Sequence, residues 1–277
     1  TLSLHDALPI FYDNSRLLVE YIKNKNILIA QKILDQPDVR PSARNNEALK
    51  EVIEQKFLEG IELIIKHPRF DPLIKIDNYP EPLSVLEFAA SREPRIFKCL
   101  LDSGLFDPSA DHNGVIRLAY RYKGVLQLLL NDPRVDPSTP IDDIEPFSDD
   151  HRRENDPLFF ACSMGFVEQV KLLLADSRVD PCRTYPPCIL QAATNRQAEV
   201  VHLLLADGRI DPSNLPLLER ACRNGDAATV RVLLQDPRVV VNCKDEVLQY
   251  VCEAKLVKVL QQLVTRPELD ITSVLLH

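Results

Sequence analysis

Tryptophan is absent from this chain of 277 residues, methionine occurs once, and the seven glycines each stand alone. Isolated glycines cannot build a phosphate-cradling loop or a dinucleotide fingerprint, which need several within a few residues. No apolar run approaches the ~20 residues that cross a bilayer. The six histidines never form a His-Glu-x-x-His pair. Basic side chains number 33 against 41 acidic, a net charge of −8 that gives no electrostatic ground for holding a polyanion. Adjacent acids such as Asp142 and Asp143, or Asp149 and Asp150, are loop neighbours with no dry pocket to raise one pKa, and read as solvated charge. The chain is therefore expected not to be an enzyme. No cofactor, metal, nucleic acid, membrane or small-molecule ligand is expected.

Cysteine is present in odd number, seven, and fits a reducing, cytoplasmic setting better than a disulfide framework. Cys162, Cys222 and Cys252 lie 60 and 30 residues apart, at one recurring position held elsewhere by Ala90 and Ala193. A small buried residue is wanted there. Equivalent positions on stacked helices are about 8–10 Å apart, beyond the ~7 Å Cα limit for a disulfide, so these thiols should stay reduced. Cys182 and Cys188 flank Arg-Thr-Tyr-Pro-Pro, but no second pair or nearby histidine completes a metal site.

What the chain has in abundance is a phrase. Leu-Leu-Leu-Asn-Asp-Pro-Arg-Val-Asp-Pro-Ser at 128–138 returns at 172–182 and 203–213 with few changes. Counted at Pro41, Pro72, Pro108, Pro137, Pro181, Pro212, Val241 and Ile271, the intervals are 31, 36, 29, 44, 31, 29 and 30. A unit of about thirty residues recurs eight times, with two insertions, as in solenoids.

The unit at 155–182 reads as two helices. Asp156 and Pro157 open the first, since aspartate caps free amides and proline is tolerated in the first turn. Gly165 ends it. Val167, Val170, Leu173 and Leu174 then form an apolar stripe, with Glu168 and Lys171 as an i, i+3 pair. Helices this short do not persist alone. A sandwiched helix must be apolar on more than one face, which the leucine triplet supplies.

These residues resemble the ankyrin repeats. The family pattern of Thr-Pro-Leu-His, Ala-Ala, Gly and Val-Val-x-Leu-Leu-Leu is similar to Asp156-Pro-Leu-Phe159, Ala161-Cys162, Gly165 and Val170-Lys-Leu-Leu-Leu174. The resemblance covers 155–272 well, 83–138 fairly and 17–72 weakly. No copy carries the full Thr-Pro-Leu-His signature, and Asp-Pro-Arg-Val-Asp-Pro-Ser replaces the family's Gly-Ala-Asp finger. A tetratricopeptide array is the nearest rival, but its tryptophan is missing. The expected fold is all-α, an ankyrin-like helical-repeat solenoid of about seven to eight helix-turn-helix units over 17–277. Residues 1–16 fit no repeat, and the first ten resemble a translated sequencing adapter, so an artefactual start that hides the true N-terminus is expected.

In ankyrin repeats the variable first-helix positions line the partner-binding surface. Carried over, the resemblance places Phe88, Arg92, Arg121, Tyr122, Phe160, Met164, Gln191, Asn195, Arg220, Arg223, Asn224 and Tyr250 there. Arginine and aromatics carry much hot-spot energy, so a protein or peptide is the implied partner. A second candidate is the acidic insertion at 139–155, with Asp142, Asp143, Asp149, Asp150, Arg152 and Arg153. Two roles follow: a non-catalytic interaction scaffold, or the substrate-recruiting arm of a larger enzyme or ubiquitin-ligase-type adaptor. The linking phrase also spaces arginine and aspartate two apart (Arg69 and Asp71, Arg134 and Asp136, Arg178 and Asp180, Arg209 and Asp211, with Asp38 and Arg40 in exchanged order), on one side of an extended segment. Stacked units would alternate these charges into a ladder that fixes register, with a peptide-docking strip as the functional rival.

Overall fold

The computed structural model describes residues 14–77, 82–138, 156–184, 186–240 and 261. Among them regular structure is all-helical, and the β-type pairing is one isolated bridge between Ile76 and Leu83. The chain divides into two compact units, Thr1–Val135 and Asp136–His277. No helix of the described residues is long and apolar enough to cross a membrane.

Among the described residues the first unit holds four helix pairs: α1 (Asn14–Lys23) with α2 (Ile27–Leu34), α3 (Ala43–Glu54) with α4 (Leu58–Ile65), α5 (Val85–Ala90) with α6 (Pro94–Asp102), and α7 (Ala110–Ala119) with α8 (Lys123–Leu130). The second holds α9 (Pro157–Met164) with α10 (Val167–Ala175), α11 (Cys188–Thr194) with α12 (Ala198–Asp207), and α13 (Leu217–Arg223) with α14 (Ala227–Gln235). Within each pair the two helices pack together, and at four junctions each kind packs on its own kind in the neighbouring pair. First helix meets first helix in α1 on α3, α5 on α7, α9 on α11 and α11 on α13. Second meets second in α2 on α4, α6 on α8, α10 on α12 and α12 on α14.

Local chemistry sets the helix ends. Asp156 accepts from the Phe159 amide at 2.8 Å with Pro157 in the first turn, and Gly165 closes α9 at φ 74°. Ser84 and Glu87 form a reciprocal capping box on α5. Glu168 and Lys171 pair at 3.0 Å as their spacing predicts. In the leucine triplets Leu129, Leu173 and Leu204 are fully buried, whereas Leu128, Leu130, Leu172 and Leu174 are half-buried. That is the pattern of a helix covered on several sides, and it makes the triplet core rather than a ligand groove.

The linking phrase differs from the expected ladder. Four arginines fork onto the aspartate two residues before them, not the one two residues after: Arg134 on Asp132, Arg178 on Asp176 and Arg238 on Asp236, all with Nη2 at 2.7 Å, and Arg209 on Asp207 with Nε at 2.7 Å; Arg69 has His67 at that place. The following aspartate turns the chain, accepting from the amide two residues on: Ser138 to Asp136 at 2.8 Å, Cys182 to Asp180 at 2.9 Å, Ser213 to Asp211 at 3.0 Å. The earlier aspartate also accepts the arginine's own amide, Arg134 to Asp132 and Arg178 to Asp176 both at 3.0 Å, so one carboxylate takes the backbone and the fork of the same residue. The alternation survives only as a longer-range field, in which Arg178 acts on Asp136 and Arg238 on Asp211. Hydrogen bonds from the forked arginine hold the carboxyls of Asp132, Asp176 and Asp207 below their usual range.

Candidate partner-binding face

The first helices of the second unit are tied by a row of polar contacts. Asn195, capping α11, donates Nδ2 to the Ser163 carbonyl at 3.0 Å and the Ser163 hydroxyl at 2.7 Å. Asn224, capping α13, repeats the move one helix later, donating to the Thr194 carbonyl at 2.6 Å. Gln191 also reaches the Ser163 hydroxyl, at 3.5 Å. Gln191, Asn195 and Asn224, expected to face a partner, are thus engaged between helices. Each leaves at most part of its hydrogen-bonding capacity for a ligand.

Beside these stitches other side chains stand clear. Met164 is 50% exposed, a large apolar group left in water. Arg220 is exposed, and Arg223 is exposed with an i, i+4 pair to Glu219 at 2.8 Å. Phe160 is half-buried, edge-on to Phe159 with centroids 6.5 Å apart. Arg196 is a residue that the sequence reading missed. It occupies the left-handed turn after α11 at φ 62°, where the neighbouring turns have Gly165 at 74° and Gly225 at 67°. Its guanidinium donates to the Asn224 carbonyl, so this cation sits at the end of α13. The signal was available, because Arg196 aligns with two glycines and an arginine there endures an unfavourable backbone.

In the first unit the row has another character. Phe88 is 1% exposed and packs in the core; its ring supports the Arg92 guanidinium at 4.6 Å and the Lys50 ammonium at 5.8 Å. It therefore presents cations outward rather than its own ring. Arg92 also approaches Glu54 at 3.9 Å. Arg121 donates Nε to the Tyr120 hydroxyl at 2.9 Å, and Tyr122 is half-buried at the start of α8. Tyr250 and the insertion residues Asp142, Asp143, Asp149, Asp150, Arg152 and Arg153 lie outside the described residues.

A cleft of about 600 Å3 in this unit is lined by Arg40, Ser42, Arg44, Asn45, Arg69 and Asp71 among others. Several of its polar groups already have internal partners. Arg69 gives its guanidinium to the carbonyls of Leu34, Gln36 and Pro37, and Ser42 binds the Asp71 backbone. Arg44 pairs with Glu47 at 2.6 Å.

The five cysteines of the described residues are free. Cys162 and Cys188, from adjacent first helices, are fully buried, with Cys188 Sγ donating to the Pro181 carbonyl at 3.2 Å; burial and the neighbouring Cys188 thiol push Cys162 well above its ordinary pKa. Burial pushes Cys222 up to about 12. Protonated, enclosed thiols are poor nucleophiles and serve as small core residues. No protein-family model matches the chain, and none of the curated proteins is significantly similar to it.

Proposed function

We propose that each unit is a stretch of ankyrin-type helical-repeat solenoid, and that the chain is a non-catalytic scaffold holding a protein or peptide on its first-helix row. The support for the fold is the like-on-like packing of helix pairs at the period of the leucine phrase. The observation that carries the function is the division of labour in α9, α11 and α13. Gln191, Asn195 and Asn224 lock the helices together, while Met164, Arg220 and Arg223 stay exposed on them. A rigid, pre-ordered surface with arginine and an apolar anchor loses little entropy on binding. A reducing, cytoplasmic setting suits the free thiols.

The test is the double variant Arg220→Ala, Arg223→Ala, used as bait in affinity capture followed by mass spectrometry. The reading expects partner recovery to fall while the melting temperature stays within about 2 °C of the parent, since both side chains are exposed. An unchanged partner set, or a variant that unfolds, removes these residues from the site.

A further inference from the structure

Resting on the reading of this row as a peptide-binding surface, we infer that its partner is an extended acidic segment carrying one apolar anchor. The anchor meets Met164, and a pair of carboxylates meets Arg220 and Arg223. The chain as a whole carries a net charge of −8, yet this edge of the second unit gathers Arg196, Arg220 and Arg223 at the end of α13. Glu219 is the carboxylate bound among them, and it pairs with Arg223 alone. Arg220, one helical turn before Asn224 and so on the same side, is left to the solvent. The exposed Arg220 guanidinium presents a fork that fits carboxylate.

The spacing follows from packing. Met164 ends α9, Arg220 and Arg223 lie on α13, and α11 stands between. Two steps of about 10 Å between packed helices are bridged by about six residues of extended peptide at about 3.3 Å each. The recognised segment therefore places its leucine-like or aromatic residue about six positions from its acidic pair. The order along the peptide follows the chain direction it adopts. A polynucleotide offers phosphate to the same arginines, but the half-buried Phe160 and exposed Met164 give the far end an apolar character that suits a side chain better than a sugar-phosphate.

The experiment pans random peptides displayed on phage against the full chain and against Arg220→Glu, chosen because the exposed Arg220 is not placed in the fold's packing. Wild type should enrich peptides with paired Asp or Glu about six residues from an apolar side chain. Synthetic copies should bind Arg220→Glu about tenfold or more weakly and lose affinity as salt is raised. Acidic peptides that bind both proteins equally, or displacement by a single-stranded oligonucleotide at matched charge, overturn the inference. Enriched peptides with no acidic bias that lose binding in Met164→Glu also overturn it, while leaving the peptide-binding reading in place. No enrichment at all removes both.

Discussion

Arg209 reaches back 35 residues to donate Nη2 to the Leu174 carbonyl at 2.8 Å, and Nη1 to the Val179 carbonyl at 2.7 Å. The same guanidinium is held by Asp207 through Nε at 2.7 Å. Arg238 repeats the arrangement on Leu205 at 2.6 Å, and Arg69 on Leu34 at 2.7 Å. Each arginine therefore covers carbonyls left open at the end of the preceding second helix, where a cation is also favoured by the helix dipole. The aspartate before it acts as a clamp that aims the fork. At Asp207-x-Arg209 and Asp236-x-Arg238 the phrase thus joins one helix pair to the next through backbone carbonyls.

Arg209→Ala should lower unfolding stability by about 1–3 kcal/mol, the range for hydrogen bonds to a charged donor. Arg209→Lys keeps the charge but lacks the fork, so it should recover less than half of the loss. Urea denaturation of the three proteins measures both. A lysine variant as stable as the parent would show that charge alone matters.

At one junction of the described residues, after α6, the arginine is missing. Leu105 stands in its place, 44% exposed, after Ser103 instead of aspartate. The end of α4 therefore lacks this donor. Leu105→Arg is expected to stabilise the chain by about 1 kcal/mol and raise the melting temperature by a few degrees. The double change Ser103→Asp, Leu105→Arg should do more than the sum, because the aspartate aims the fork. A lowered melting temperature for both would rule out a latch at this junction.

His67 fills the clamp position before Arg69, and its Nδ1 accepts from the Arg69 amide at 3.2 Å. Protonation removes that acceptor and places a second cation beside the guanidinium. Burial first, then Arg69, hold the imidazole below its ordinary 6.5, with Asp35 and a bond to the Leu34 backbone acting the other way. The unfolded chain thus binds the proton more readily, so stability should fall as pH drops through 6.5 and level off below the folded value. His67→Asn keeps a turn acceptor without titrating. Its melting temperature should vary less between about pH 8 and pH 5 than that of the parent. Superimposable profiles would show that His67 does not couple to folding.

Phe88→Ala should cost about 3–5 kcal/mol, as for a large aromatic removed from a core. Binding by the fraction that remains folded should be nearly unchanged. Loss of affinity at full stability, read by calorimetry beside thermal melts, would return Phe88 to the binding surface.

Much of the helical architecture was legible because its causes are local. The Asp156 cap, Pro157 in the first turn, the turn at Gly165 and the leucine triplet of 172–174 each act within a few residues. The direction of the arginine fork was not, since Asp176 and Asp180 are equally near Arg178 in sequence. Asp176 accepts the amide of Arg178 itself and so lies against that residue's side chain, whereas Asp180 is bound to the Cys182 amide further on. The face of a short first helix was only partly legible. Phe88 and Phe160 occupy equivalent positions in the row, yet one is buried and the other half-exposed, because neighbouring helices decide what is covered. Arg196 escaped notice because its role depends on a left-handed turn and on the carbonyl of the next first helix.

Met164 is the single methionine of the chain and stands half-exposed on the proposed surface, so its methyl group is a lone NMR reporter of binding. In protein labelled at the methionine methyl, titration with an acidic, apolar-anchored peptide selected by phage panning should move this one resonance along a saturable curve. Its midpoint should match the calorimetric affinity and shift to higher peptide concentration in Arg220→Glu. A peptide that binds by calorimetry while the Met164 signal stays fixed would contradict the assignment of partner binding to this face.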